Sequence, residues 1–546
     1  MKFLNTQTKS ISFASLILAG SYLLSAVLGV LRDHLLTGKL PTDKLDVYYA
    51  AFTIPDFIGL ILIFGAIAAA IVPIFSSYLV NSEDQAWRYV NNLVNIFLTF
   101  LIIAAVILII FAPFLVTLIA PGFSPEKRET TVMLMRIMFL SPIILGTSTI
   151  MSGILQVFHR FLVTALAPIA YNCGIIIGII FFVPQFGLKG LAYGVVLGGI
   201  LHMLIQIPAF LHSGFKYQLV FNIKDVGVQK TLKLMVPRSL GLGAGQFNTI
   251  VITAIASTLI SGSIALFNLA NTLSSLLVNA VAVSLSTAVF PAMSLAHSRE
   301  DKKGFERRFS NAFGQIMFLS IPISIEIFLL RAQIARVVWG SGHFTWVDTR
   351  LAAACLGVFS IGLFAQGLIF LLSKTFYAVH NTKIPAWISF GTVVFNITIS
   401  LWFIWLLRFS NIFSNFLHWV LKLQTISNIS VVGLSLAFTI TAFIESSLLL
   451  FFVIKKLQVF DVREVLKSVY KILIAGTAMG VVIFLVRQGL VTYNIFNLQT
   501  TLGVFLQLLL AGVLGIISYG AVAFMLGTSE IHMIRESFFG RFNKKL

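Results

Sequence analysis

Apolar runs of bilayer length recur about fourteen times along this chain, separated by short, mostly basic polar turns. The pattern predicts membrane-spanning helices at about 10–31, 47–79, 88–120, 131–158, 162–183, 188–212, 230–260, 264–292, 308–339, 351–378, 384–407, 430–455, 466–488 and 501–527. Several exceed the roughly 20 residues that a span needs, which predicts tilt, breaks or extension beyond the hydrocarbon. The second carries Pro55 and Gly65, a combination that interrupts helices beside cavities. The runs are too long and too uniformly apolar for barrel strands, whose residues alternate. The expected fold is an all-α polytopic bundle of about fourteen transmembrane helices. Lys2 and Lys9 precede the first run as in a signal peptide. That run is longer than a signal core and reaches Arg32-Asp33 without an A-x-A site, so it is expected to stay as the first span.

The sequence repeats itself. Phe123-Ser124-Pro125 returns as Phe344-Thr345-Trp346, and Phe158-His159-Arg160 returns as Val379-His380-Asn381. Val72-Pro73 returns as Phe290-Pro291, and Gly190-Leu191 as Gly433-Leu434 after an insertion near Arg408 to Ile429. Spans 1–6 and 7–12 are therefore expected to be two copies of one six-helix unit. Six is even, so both copies run the same way through the membrane. The expected domains are residues 1–220, residues 221–460, and residues 461–546 with two extra spans and a basic tail. Two parallel six-helix halves around a central cavity form a transporter layout.

Composition agrees with the membrane reading: 58% of residues are hydrophobic, 10% are charged, and mean hydropathy is +0.98. The net charge of +19 sits in short loops, as orientation signals do, and no basic, aromatic-interleaved stretch suggests nucleic acid. With the N-terminus in the cytoplasm, the inward loops hold about 23 basic residues against about 12 outside. Both termini are expected to be cytoplasmic. Cys173 and Cys355 lie in apolar runs without metal-ligand spacing, so no metal and no cofactor is expected. There is no HExxH motif, no acidic pair at metal spacing and no convincing Ser-His-Asp set, so catalysis is not expected. A selectivity loop or charged pore ring is equally missing from the sequence.

Polar residues at membrane depth are the candidate site. Arg32 and Asp33 end the first span and either line a cavity or snorkel to the interface. Asp46 opens the second span, Asp56 follows Pro55, and Arg238 follows Pro237 early in the seventh. Glu326 and Glu445 lie deeper, either binding an ion or proton or sitting neutral between helices. Asn172 and Asn396 suit interhelical hydrogen bonds. Gly174/Gly178, Gly194/Gly198 and Gly241/Gly245 have the spacing of close helix packing.

Several segments together resemble the MurJ/MviN family, the lipid II flippases of the multidrug/oligosaccharidyl-lipid/polysaccharide exporter superfamily. They are Leu24-Ser25-Ala26-Val27-Leu28-Gly29-Val30-Leu31-Arg32-Asp33, Asp46, Ala51-Phe52-Thr53-Ile54-Pro55, Ala120-Pro121-Gly122-Phe123 and Ser152-Gly153-Ile154-Leu155-Gln156. Arg160-Phe161, Ala167-Pro168 and Asn172 follow. In the second half they are Pro237-Arg238-Ser239-Leu240-Gly241-Leu242, Gly262-Ser263-Ile264, Phe376-Tyr377-Ala378 and Asn381-Thr382-Lys383-Ile384-Pro385. The resemblance implies two six-helix lobes around a cationic cavity, with spans 13 and 14 forming a groove for a polyprenyl tail. It implies an undecaprenyl-diphosphate-linked cell-wall precursor as substrate, moved by alternating access in the bacterial inner membrane. Membrane lipids, and cell-wall synthesis proteins, are the partners it suggests.

The chain departs from the family pattern at the charges. By the resemblance, Ala26, Gly59 and Thr272 stand where the family has arginines, Asn271 stands for an aspartate, and Phe64 for an acidic residue. Arg32, Asp33 and Asp46 remain, with Arg238 available, as the expected substrate-binding set. The leading expectation is a flippase for lipid II. A different lipid-linked oligosaccharide or an amphipathic drug on the same fold is one alternative; a non-transporting scaffold for cell-wall enzymes is another. The driving force stays open between membrane potential, protons and sodium.

Overall fold

A computed structural model of the chain describes residues 11–60, 67–457, 462–528 and 530–531. Every regular element among them is helical. Ten helices are long and apolar enough to cross a membrane, and an eleventh if Trp346–Ile361 and Leu363–Ala378 form one bent span. The three remaining apolar runs, 10–31, 47–79 and 230–260, each include residues whose placement or side chain lies outside the description. The chain divides into two compact units, Met1–Ala265 and Leu266–Leu546.

In the first unit, glycines decide how two helices meet. Phe161–Ile177 continues through a π-helical turn at Gly178–Phe182 and packs on Lys189–Leu204. A Cβ on Gly174 would lie 2.3 Å from the Cα of Gly198, and one on Gly178 would lie 2.4 Å from the Cα of Gly194. The two small-residue pairs thus interlock backbone on backbone, as their spacing predicted. Gly245 departs from that expectation, since a Cβ there would meet nothing within 4 Å. Gly241 lies outside the described side chains. Asn172 donates to the Oγ of Ser25 at 3.1 Å, tying this pair to the helix Ile11–Lys39.

At one end of the unit, Trp87 stacks on Phe158 and meets Phe75, Phe210 and Phe215 edge-on or tilted. Beside it, Asn91 and Asn92 on the helix Glu83–Ile119 each pair with loop backbone through both amide atoms. Asn91 donates to the carbonyl of Lys216 at 2.9 Å and accepts from the N–H of Gln218 at 2.9 Å. Asn92 does the same with Asn222, at 2.9 and 2.7 Å. Arg160 is buried nearby and donates to the carbonyl of Ala209 at 2.8 Å. These side chains supply partners that an irregular segment cannot supply for itself.

Matching local structures occur at matching places in the two halves. His159 and His380, 221 positions apart, both have left-handed backbones, with φ of 56° and 58°. Each closes a helix in the same way. The N–H groups of Arg160 and Asn381 reach back to the carbonyls of Leu155 and Phe376 at 2.9 and 3.0 Å. Ser124 and Thr345, at the same offset, cap the helices Pro125–Met138 and Trp346–Ile361. The helices Glu83–Ile119 and Lys302–Val338 are each 37 residues long. Winding of the π type occurs at Gly59–Leu60 and again at Asn279–Val283. Pro55 sits within the helix Thr42–Ile58 without breaking it, and Gly65 lies outside the described residues.

The second unit begins inside the helix Ser263–Val278, at Leu266, and its last long helix is Thr501–Met525. The expected insertion at 408–429 folds as a short helix, Ile412–Leu421. Asn396 donates to Thr441 at 3.1 Å, the interhelical bond expected of it. Glu445, without an evident partner in the sequence, has two: Ser389 donates to it at 2.7 Å and Thr392 at 3.1 Å. Glu326 lies against Gly512, where a Cβ would come within 2.6 Å of its Oε1.

The glycine contacts give a direct test. Gly174→Val should lower the thermal midpoint of the purified chain, because about 1–3 kcal/mol of overpacking has no side chain to relax into. Gly245→Ala should leave the midpoint unchanged or raise it slightly. Equal midpoints for the two variants would contradict the close backbone packing.

Candidate functional site

Arg32 and Asp33, neighbours on the helix Ile11–Lys39, form an ion pair. Arg32 Nε and Nη2 both donate to Asp33 Oδ1, at 3.1 and 2.9 Å. Asp33 is buried, while the Arg32 side chain keeps 22% of its exposure. Neighbours on one helix turn, the two charges cancel locally, which lets both remain at depth. The hydroxyls of Tyr48, Tyr49 and Tyr171 lie within electrostatic range of Arg32. Tyr48 is itself buried and packs edge-on against Tyr49 at 5.3 Å between ring centres. An aromatic in an apolar run reads as core, so the hydrophobic pattern does not single these tyrosines out. Their clustering as Tyr48-Tyr49 two residues after Asp46 was the available signal.

Asp46 is placed differently from Arg32. It is buried, and both of its carboxylate oxygens accept main-chain N–H groups. Oδ2 takes that of Gly262 at 2.6 Å and Oδ1 that of Ala265 at 2.8 Å. Gly262 has φ of 94°, a conformation that favours glycine and turns the chain into the helix Ser263–Val278. A carboxylate at the first turn satisfies N–H groups that have no helical partner and meets the positive end of the helix dipole. The neighbouring loop joins the same knot. The N–H of Gly122 donates to Ser257 Oγ at 3.1 Å, and Lys127 Nζ donates to Ser261 Oγ at 2.6 Å. A Cβ on Gly122 would lie 2.2 Å from the Ser257 carbonyl oxygen, so only glycine fits.

The remaining expected positions divide by unit. Ala26 lies half-buried seven residues before Asp33 on the same helix, hence on the same stripe; Arg32 is about a third of a turn away. Gly59 offers room, as a Cβ there would meet nothing within 4 Å. Thr272 is exposed and belongs to the second unit. Arg238 continues the helix Val226–Ser257, but its side chain, like Phe64, lies outside the described residues. Asp56 is exposed and accepts from Gln246 at 3.3 Å. Among the described residues no group of three His, Cys, Asp or Glu side chains is arranged to hold a metal.

Asp46 generates a stability prediction. Asp46→Ala leaves two N–H groups unpaired and removes two charge-assisted bonds worth about 1.5–3 kcal/mol each. The thermal midpoint should fall clearly, and Asp46→Asn, which keeps one carbonyl acceptor, should fall less. An unchanged midpoint for Asp46→Ala would show that the knot carries no stability.

Comparison with known proteins agrees with this architecture. The family model described as Lipid II flippase MurJ matches residues 42–504. A probable lipid II flippase MurJ of Bdellovibrio bacteriovorus is 27% identical over 545 residues, covering 98% of both chains. The lipid II flippase MurJ of Burkholderia cenocepacia is 26% identical over 391 residues, covering 70% of this chain and 76% of its own. Among solved structures, a lipid II flippase MurJ in an inward closed conformation superposes with a TM-score of 0.74 at 24% identity. It covers 93% of this chain and 98% of its own. An inward-facing multidrug resistance transporter of the MATE family gives 0.63 at 15% identity, covering 80% and 94%; at such identities the likeness is one of fold. The match of that family model over residues 42–504, most of this all-helical chain, places this protein in the lipid II flippase MurJ family.

Proposed function

We propose that this chain moves a polyprenyl-diphosphate-linked cell-wall precursor, lipid II above all, from the inner to the outer leaflet for peptidoglycan synthesis. The family match over residues 42–504 is the observation that carries the reading. The physical problem is a diphosphate-sugar head that hydrocarbon does not solvate. A helical bundle solves it by alternating access, exposing a polar cavity to each side in turn while the tail stays in lipid. Both termini lie in the cytoplasm on this reading, in keeping with the excess of basic residues in the inward loops. Spans 1–6 and 7–12 are two copies of one unit; the paired helix ends at His159 and His380 support this.

Arg32 is the proposed phosphate ligand. Its Nε and Nη2 face Asp33, and Nη1 has no partner among the described residues. Phosphate must compete with Asp33 for the guanidinium, and Ala26 and Gly59 supply no charge. The hold on a diphosphate is therefore weak. Asp46 is spent on main-chain N–H groups, and we assign it to holding the loops around Gly122 and Gly262 rather than to substrate. The loss of arginines favours a second reading, a less acidic amphipathic cargo on the same fold.

Complementation tests lipid II as the cargo. Expressed in cells depleted of their own lipid II flippase, the chain should restore growth. Arg32→Ala should abolish rescue and Arg32→Lys weaken it, since lysine lacks the bidentate fork. Full rescue by Arg32→Ala at equal membrane abundance would remove Arg32 from the mechanism. No rescue by the unaltered chain, with normal membrane insertion, would favour the other cargo or the scaffold.

A further inference from the structure

The second unit holds a basic cavity that none of the above uses. Five of its segments end on one side of the membrane, because successive spans reverse direction. They are the end of Lys302–Val338, the start of Trp346–Ile361, the connection 408–429, the end of Val462–Thr492 and the start of Thr501–Met525. Together they enclose about 830 Å³, within the roughly 300–1,000 Å³ typical of ligand sites. Arg331, Arg336, Arg350, Lys422 and Arg487 line it, and no acidic residue does. None of the five makes an ion pair among the described residues.

The arginines are held in place by neutral acceptors. Arg331 donates to the carbonyls of Phe328 and Val420, at 2.6 and 3.0 Å. Arg487 donates to the carbonyl of Leu329 at 2.7 Å, Arg336 to that of Gln499 at 2.9 Å, and Arg350 to the hydroxyl of Thr425 at 2.5 Å. Carbonyls fix a guanidinium without neutralising it, so full positive charges converge on one volume. A lone cation at a helix end snorkels to the interface with no further meaning. Four anchored arginines from three helices, with Lys422 beside them, make a preorganised anion site.

Its depth indicates where the anion comes from. The helix Ile412–Leu421 is too short to span, yet leaves Ile412 91% and Trp419 71% exposed, the habit of a helix lying in the membrane interface. Val420, Leu421 and Lys422 at its end form one wall of the cavity. Phe328, Leu329, Phe484 and Val491 continue the wall as apolar surface. Cations at headgroup level above an apolar wall match a phosphate that carries a hydrocarbon chain.

We propose that this cavity binds the phosphate of an anionic phospholipid, in the leaflet that the orientation proposed above makes the outer one. Only the name of the leaflet rests on that reading; the site does not. The test uses the full purified chain in detergent, titrated with phosphatidylglycerol or phosphatidylcholine and read by native mass spectrometry. Phosphatidylglycerol adducts should form at about tenfold lower lipid concentration than phosphatidylcholine adducts. Arg350→Gln with Lys422→Gln, two residues at the rim whose removal leaves no backbone carbonyl unpaired, should remove most of that preference. Arg331→Gln with Arg487→Gln should do the same, with thermal midpoints recorded to confirm folding. Lys302→Gln with Lys303→Gln, at the opposite end of the helix, should keep the preference. Equal binding of the two lipids, a rim variant that binds as the unaltered chain does, or an equal loss in the Lys302/Lys303 control would each overturn the proposal. Complete displacement of phosphatidylglycerol by inorganic phosphate would overturn the lipid assignment in favour of a free anion.

Discussion

Hydrocarbon offers no hydrogen-bond partner, and every feature of this chain answers to that constraint. The backbone satisfies itself as helix throughout the described spans. Where it departs from helix, side chains step in: the amides of Asn91 and Asn92 hold residues 216–222, and Asp46 takes the free N–H groups of Gly262 and Ala265. Polar side chains at depth pair with one another, as Arg32 does with Asp33 and Glu445 with Ser389 and Thr392. The basic cavity of the second unit is the contrasting case, since its cations converge without an acid.

Much of this was legible in the sequence. Apolar length gave the helices, because a span must be long and uniformly apolar whatever its neighbours. The 221-residue offset gave the paired helix ends at His159 and His380, since a left-handed closing residue is a local matter. Small-residue spacing gave the interlocking of Gly174 and Gly178 with Gly198 and Gly194. The same spacing failed at Gly245, because GxxxG shows that a close approach is allowed and not that a partner is there. The role of Asp46 was hidden for a related reason: its partners are main-chain atoms 216 and 219 residues away, which carry no sequence signature. The basic cavity was invisible because its cations come from four segments between residues 331 and 487, each reading alone as a helix-end cation.

Family membership and local chemistry pull in different directions at the site. The bundle is that of a lipid II flippase family member, and the flippase reading needs a cationic hold on a diphosphate. Of the charges that the family resemblance leads one to expect, Arg32 is retained and is already paired with Asp33, while Ala26, Gly59 and Thr272 are neutral. The weak grip proposed for Arg32 would reconcile the two, since a transporter must release its cargo as readily as it binds it.

The most direct test compares binding of a lipid diphosphate to the unaltered chain and to a variant carrying Ala26→Arg and Gly59→Arg. A Cβ at Gly59 would meet nothing within 4 Å. Each restored arginine can contribute about 1.5–3 kcal/mol of charge-assisted hydrogen bonding. The account predicts that the variant binds at least about tenfold more tightly, with the gain shrinking as salt rises. Equal affinity of the two proteins would contradict it, because the unaltered site would then already hold the diphosphate as firmly as a fully cationic one.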